Sequence, residues 1–240
     1  MIIFLTVILF LVILWSICMP SYVVSLTTIP SRLEDIGQTI RSLEMQVVKP
    51  QKIILNIPEK YNRFKETVQT LPDFITNNPL VYVNKIREDY GPATKMLGIL
   101  ELDLKPSTVV LICDDDVNLY PHWSLVLLSS IFLNPRHISS IGPHDHRMYG
   151  ELIFGNGGWG FYRNVINKND ILKTFHKNKE HCLMVDDNFF SEYFNNIITL
   201  PIHYMVMKDT HSKSNDALMY LRGDNSRKET KKRCLKNFNK

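Results

Sequence analysis

Blocks of apolar and polar positions alternate along the chain, and the period of each block predicts its element. Tyr22-Val23-Val24-Ser25-Leu26 is a short, nearly continuous apolar run, the pattern of a buried first strand. It ends in Thr27-Thr28-Ile29-Pro30-Ser31-Arg32. Residues 33–46 then place Leu33, Ile36, Ile40 and Leu43 at helical spacing. Lys52–Ile57 predicts a second strand stopped by Pro58, residues 61–71 a helix, and Leu80–Val83 a short third strand. Gly91-Pro92 breaks the chain before a helix over about Thr94–Leu102, and residues 108–113 form a further apolar strand. Beyond Pro121 the pattern predicts a helix from Trp123 to Phe132 and a strand over Ile138–Gly142. Further helices are expected over about Val165–Phe175 and from near Asp187, and one or two strands within Ile197–Val206. Strands alternating with helices over short links argue for an α/β domain with a mostly parallel sheet flanked by helices.

The strand at 108–113 delivers the chain's most distinctive feature, Asp114-Asp115-Asp116. Adjacent carboxylates repel unless a cation, protons or water offsets them, so packing alone would not select three. The end of a strand in an open α/β sheet is also where ligands bind. Four glycines, Gly155, Gly157, Gly158 and Gly160, fall within residues 155–161 and point to a tight loop or a close backbone approach to a ligand.

Composition adds two things. Residues 2–18 carry no charge and are almost wholly apolar; as a helix they would reach about 27 Å, near the lower limit for crossing a bilayer. A signal anchor and a cleaved signal peptide both fit this segment, and either sends the chain into a membrane system such as the endoplasmic reticulum or Golgi, with membrane association through residues 1–20. Residues 227–240 hold seven Lys or Arg against one Glu, making that segment +6 within a chain of net charge +4. No stacking aromatics are interleaved with these charges, so a solvated terminal helix or tail is expected over 226–240 and nucleic acid is not the expected partner. Cys18, Cys113, Cys182 and Cys234 match no metal-binding spacing. A Cys182–Cys234 bridge requires an oxidising compartment, and spacing does not decide whether it forms. The chain also lacks the phosphate-binding Gly-x-x-x-x-Gly-Lys-Ser/Thr loop and the Rossmann glycine fingerprint.

Taken in order, Ser25–Arg32, Asp89-Tyr90-Gly91-Pro92-Ala93-Thr94-Lys95, Asp114-Asp115-Asp116, the Gly155–Phe161 segment and Asp186-Asp187 resemble the nucleotide-sugar-dependent glycosyltransferases of the A-type (GT-A) fold, particularly family-2-like enzymes. The resemblance spans nearly all of residues 22–211 and implies one glycosyltransferase domain over 21–225. It implies transfer of a sugar from a UDP- or GDP-linked donor to a glycan, lipid or protein acceptor, with Mn²⁺ or Mg²⁺ steadying the departing diphosphate. On the family pattern Asp114 approaches the ribose or uracil side and Asp116 binds the metal, with Asp114 also near it; Asp115 orients the donor sugar. Thr27, Thr28 and Arg32 face the nucleoside or phosphate, although Thr28 and Ser31 equally suit capping of the next helix. Lys95 reaches the diphosphate and Asp89 the base or ribose edge. Asp187, with Asp186 beside it, is the expected acceptor-activating carboxylate of an inverting displacement. His211 completes the metal shell, with His203 the runner-up; His144 and His146 line the acceptor region or are simply exposed, and Trp159 equally suits stacking on an acceptor sugar and a place in the core. A retaining transferase and a metal-dependent nucleotidylyltransferase remain the alternatives.

Overall fold

The fold is described in a computed structural model for residues 15, 18–65, 67–68, 70–143, 152–210 and 226–238. Its backbone is a seven-stranded sheet in the order β3-β2-β1-β4-β7-β6-β8. The strands are β1 (Tyr22–Thr27), β2 (Lys52–Pro58), β3 (Val81–Ile86), β4 (Val109–Ile112), β6 (Ile138–Ile141), β7 (Trp159–Tyr162) and β8 (Ile197–Leu200). All neighbours run parallel except β7, which is antiparallel to both β4 and β6. β5 (Val117–Leu119) and β9 (Met207–Thr210) pair as a separate antiparallel ribbon. The result is one α/β domain with a largely parallel sheet flanked by helices.

Both faces of the sheet are covered, which explains why its strands read as continuous apolar runs rather than alternating ones. On β4, Val110 and Ile112 enter one core with Met96, Leu97, Trp159, Phe175, Phe189 and Phe190. Val109 and Leu111 enter the other, with Ile40, Leu43, Trp123, Leu127 and Leu128. The first core is roofed by α3 (Thr94–Leu97), α5 (Lys168–Cys182) and α6 (Asp186–Tyr193), the second by α1 (Gly37–Glu44) and α4 (Trp123–Leu133). Two single-turn helices, α2 (Asp73–Thr76) and α7 (His203–Val206), and a last helix α8 (Arg227–Phe238) join them, with short 3-10 turns at Pro30–Arg32, Gly91–Ala93, Gly98–Glu101 and Arg163–Val165. A disulfide joins Cys182 of α5 to Cys234 of α8 across 52 residues of sequence, a closure worth about 4 kcal/mol through the unfolded chain in the loop-entropy picture.

Several expectations are corrected. Among the described residues of 61–71 no helix forms: Tyr61 Oη donates to the Thr28 carbonyl and the Asn62 amide to Asp89, which ties the start of the segment to the sheet edge, and the next described helix starts at Asp73 after Pro72. The helix expected from Val165 starts at Lys168, where Asn167 caps it by accepting from the amides of Asn169 and Asp170. His203 lies in the α7 turn, not in a strand. The membrane expectation is overturned: among the described residues no helix is long and apolar enough to cross a membrane. Residues 1–14, 16 and 17, on which most of that expectation fell, lie outside the described set. Trp15, which is described, packs edge-on against Phe132, and its indole N–H donates to Ser129 Oγ at 2.8 Å.

At Gly160 the sheet has no room for a side chain, since a Cβ there would stand 2.7 Å from the Val110 carbonyl oxygen and 2.5 Å from Leu111 Cδ2. Gly160→Ala is therefore expected to lower the unfolding free energy by about 1–3 kcal/mol, as other overpacked sites do. Urea denaturation should show this as a lower midpoint at an unchanged slope.

Candidate functional site

The sheet reverses its winding between β1 and β4: β2 and β3 follow β1 on one side, and β4 lies on the other. Ligands of open α/β sheets bind at such a switch point, outside the carboxyl ends of the strands. The register pairs Ser25 with Ile112, so Thr27–Arg32 leaves β1 beside the point where Asp114–Asp116 leaves β4. Because β7 is antiparallel to β4, with Trp159 opposite Ile112, the glycine turn at 155–158 enters the sheet at the same end. The first turn of α6 supplies Asp186 and Asp187. Thr27, Thr28, Arg32, Asp114–Asp116, Asp186 and Asp187, together with Tyr61–Phe64, Asp89 and Lys95, line one cleft with a cavity of about 200 Å³.

Lys95 stands at the centre. It is 4% exposed, and its Nζ lies 2.6 Å from Asp114 Oδ1 and 2.8 Å from Asp186 Oδ2. The first contact is a hydrogen bond; the second is an ion pair whose angle falls short of one. A Cβ on Gly155 would come within 2.9 Å of Lys95 Nζ, Asp114 Oδ1 and Asp187 Oδ1, so a side chain there would push these charged groups from their places. Trp123 holds the same turn, donating its indole N–H to the Gly157 carbonyl. Burial works to lower the Lys95 pKa, but Asp114, Asp186 and Asp187 outweigh it and hold the ammonium well above its ordinary range.

Asp115 plays a different part from its neighbours. Its two carboxylate oxygens accept from Thr28 Oγ1 at 2.6 Å and Arg32 at 2.8 Å, and its carbonyl oxygen accepts from Thr39 Oγ1 at 2.7 Å. With both oxygens committed, Asp115 ties the loop after β1 to the loop after β4. Thr28 caps no helix, and Thr27 donates to the Asn56 carbonyl. Asp89 is committed in the same way, accepting from the amides of Asn62 and Gly91 at 2.6 and 2.7 Å. Gly91 sits at φ 59°, a left-handed turn that favours glycine and that sends the chain into α3 toward Lys95.

Asp114 and Asp116 stay open to the cleft, their side chains 32% and 20% exposed. Burial, then Asp114 and Asp115, push the Asp116 carboxyl up to about 6, although Arg32 and Lys95 pull it down. Asp187 is pushed up to about 7 by burial and then by Asp186, with Lys95 and the Gly155 amide acting the other way. Its Oδ1 is buried without a hydrogen-bond partner, as is Arg32 Nε. The cleft lining holds six aspartates against Arg32, Arg63 and Lys95, so its ionised form is short of positive charge.

Of the sequence-predicted residues, Thr27, Thr28, Arg32, Asp89, Lys95, Asp114, Asp115, Asp116, Asp186 and Asp187 all line this cleft. His144, His146 and His211 lie outside the described residues. Trp159 is fully buried among Phe161, Phe190 and Phe194, a core position rather than an acceptor surface. Among the described residues no three His, Cys, Asp or Glu side chains converge to cage a metal.

Sequence reading missed the groups that place Lys95. Asn56 donates to Ser25 Oγ and the Leu26 carbonyl, Ser25 donates to the Lys95 carbonyl, and Asn84 donates to Asn56 Oδ1 and the Gly98 carbonyl. This buried network docks α3 on the sheet. Its signal was present: an asparagine inside each of two apolar strands, at positions that pair in register. Ser191 was also missed; it accepts from the Ile153 amide and donates to the Asp187 carbonyl, joining α6 to the chain leading into the glycine turn.

No protein-family model matches the sequence, and no curated protein does. Among solved structures the chain is similar to GalNAc-T7 with UDP, GalNAc and Mn²⁺, at TM-score 0.48 and 12% identity over 76% of this chain and 42% of that one. It is similar to S. aureus TarS 1–349 at TM-score 0.48 and 14% identity, over 75% of this chain and 58% of that one. It thus spans about half the length of these two proteins. A third similar structure is Francisella tularensis 2-C-methyl-D-erythritol 4-phosphate cytidylyltransferase, at TM-score 0.51 and 9% identity over 81% of this chain and 94% of that one. This last likeness establishes the fold: GT-A-like, the type shared by glycosyltransferases and related nucleotidylyltransferases.

The raised Asp116 pKa has a stability consequence. Its folded value, about 6, lies above the ordinary 3.8, so the folded state holds a proton that the unfolded chain releases between those values. Stability contributed by this group is present below pH 3.8 and lost as pH rises through about 6. Asp116→Asn should therefore melt higher than the parent at pH 7.5, with the gap closing toward pH 4. Calorimetry across that range checks both the sign and the window.

Proposed function

We propose that the protein is a glycosyltransferase that moves a sugar from a UDP- or GDP-linked donor to a hydroxyl acceptor with inversion. The observation that carries the reading is the division of the acids across the cleft. Asp114 and Asp116 face it from the end of β4, and Asp187 faces it from α6 with a buried, unpartnered oxygen and a pKa near neutrality. A general base works best when its pKa lies near the working pH, which is where burial and Asp186 put Asp187.

In this reading Thr27, Arg32 and Arg63 meet the nucleotide and Lys95 stands by the diphosphate as the leaving oxygen gains charge. Asp187 takes the proton from the acceptor hydroxyl as that oxygen attacks the anomeric carbon. The Gly155 turn packs against Lys95, Asp114 and Asp187 and helps to fix where these groups stand. Asp115 and Asp89 hold the two loops that frame the nucleotide.

A divalent cation suits the unbalanced charge of the cleft, but not as a resident metal. Mg²⁺-type sites commonly use one or two carboxylates and draw their other ligands from phosphate and water. Asp116 and the outward side of Asp114 fit that pattern, which also accounts for the missing three-residue cage among the described residues. When bound there with the donor, the cation would neutralise charge on the departing diphosphate.

Purified protein with Mn²⁺ and a panel of UDP- and GDP-sugars should release nucleoside diphosphate and glycosylate an acceptor with inverted configuration. Pyrophosphate release from a nucleoside triphosphate and a sugar phosphate, without sugar transfer, would instead identify a nucleotidylyltransferase. Asp187→Asn should keep donor binding and lose about 10²- to 10⁴-fold in kcat. In the parent, kcat/KM should rise with pH and level off above about 7, because only ionised Asp187 accepts the proton. A flat profile, or full transfer by Asp187→Asn, would remove Asp187 from the mechanism.

A further inference from the structure

The terminal helix α8 looks from its composition like a solvated basic element, yet its other face is built into the domain. Cys234 is fully buried and bonded to Cys182, four residues before Asp186. One turn on, the Phe238 ring lies 5.3 Å from the ring of Phe189 in α6. From there the contact continues inward: Phe189 meets Phe190 at 5.2 Å, and Phe190 meets Trp159 at 5.3 Å. Trp159 begins β7, directly after the glycine turn. The aromatic row therefore runs from α8, through the helix whose first turn carries Asp187, to the strand whose preceding turn closes over that carboxylate.

α6 needs such backing. It is only eight residues long, and no side chain caps its start. Its first turn is packed with like charges, Asp186 and Asp187, facing Asp114 across the cleft. On the cleft side Lys95 and the Ser191 link hold it. On the far side the structure supplies Phe238 and the disulfide.

We propose that Cys234 and Phe238 are positioning residues for Asp187, and that α8 is a fixed buttress of the site. The inference rests on the proposed role of Asp187 for its catalytic consequence, though its structural half stands apart from any chemistry. The donor-contacting residues sit at or after the ends of β1, β2 and β4 and in α3, none of them in α6, so loss of the buttress should spare donor binding. Near-attack geometry tolerates little displacement, so the chemical step should suffer.

The test uses the full chain with Cys182→Ser/Cys234→Ser, Phe238→Ala and the conservative Phe238→Tyr, followed by hydrogen exchange and kinetics. Amides of residues 188–193 should exchange at least tenfold faster in the double-serine and alanine variants, while those of β1 and β4 stay within twofold of the parent. Tyrosine should restore protection. With an active donor and acceptor pair, kcat should fall at least tenfold and donor KM stay within twofold. Unchanged exchange in α6 would overturn the proposal. So would faster exchange spread equally over β1 and β4, or failure of Phe238→Ala to fold, since either marks a general structural role. If the parent transfers no sugar, the functional reading fails while the exchange result still decides whether α8 positions Asp187.

Discussion

The site depends on a single buried ammonium. Lys95 brings together Asp114 from the end of β4 and Asp186 from the start of α6, two acids separated by more than 70 residues of sequence. Burying a lysine is costly, and the attraction of its partners offsets that cost only where geometry is good. Here the geometry comes from the Ser25–Asn56–Asn84 network that docks α3 and from the glycine turn that closes above the charge. Removing one partner of such a pair typically costs about 3–5 kcal/mol because the other is left buried and uncompensated. The cleft, the orientation of α6 and the placement of the glycine turn all converge on this cation.

One lysine and the nearby Arg32 do not balance the aspartates, and the way the shortfall is distributed gives each acid its character. Asp115 and Asp89 are saturated by hydrogen bonds and act as ties between loops. Asp186 shares the lysine. Burial raises the Asp115 carboxyl too, against the pull of Arg32 and Thr28, while Asp116 and Asp187 are pushed up to about 6 and about 7 by burial and by their acidic neighbours. Perturbed carboxylates in a cleft, with a buried oxygen lacking a partner, mark the place where a ligand or a transferring proton would complete the balance. Cys113, by contrast, is buried beside the triplet with its thiol pushed far up, and so stays inert at neutral pH.

Strands β1 to β4, β6 and β8 were legible because both faces of the sheet are buried, and continuous apolar runs bounded by turn residues have few other readings; β7 was not, because the glycines before and within it read as a loop. Failures fell where local pattern competes with tertiary contacts. Residues 61–71 have helical spacing, yet Tyr61 and Asn62 gain more by bonding to Thr28 and Asp89 than a short helix would supply. The β5–β9 ribbon escaped notice because each strand is short and its partner lies some 90 residues away. The basic composition of 227–240 hid a buried face, since Cys234 and Phe238 are only two positions among many charges.

By itself, the sequence determined the α/β class, the order of most strands and helices, and the acids, lysine and arginine that the fold gathers in one cleft. These follow from local periodicity and from the expense of placing like charges side by side. Only the tertiary structure decided what each of those residues does. Whether an aspartate is a tie, a cation partner or an open carboxylate depends on which donors surround it, and those donors come from distant strands, the α3 docking network and the turn over Gly155. Charge and hydrogen-bonding capacity are written residue by residue, but their compensation is settled only when the chain brings its separate segments to one end of the sheet.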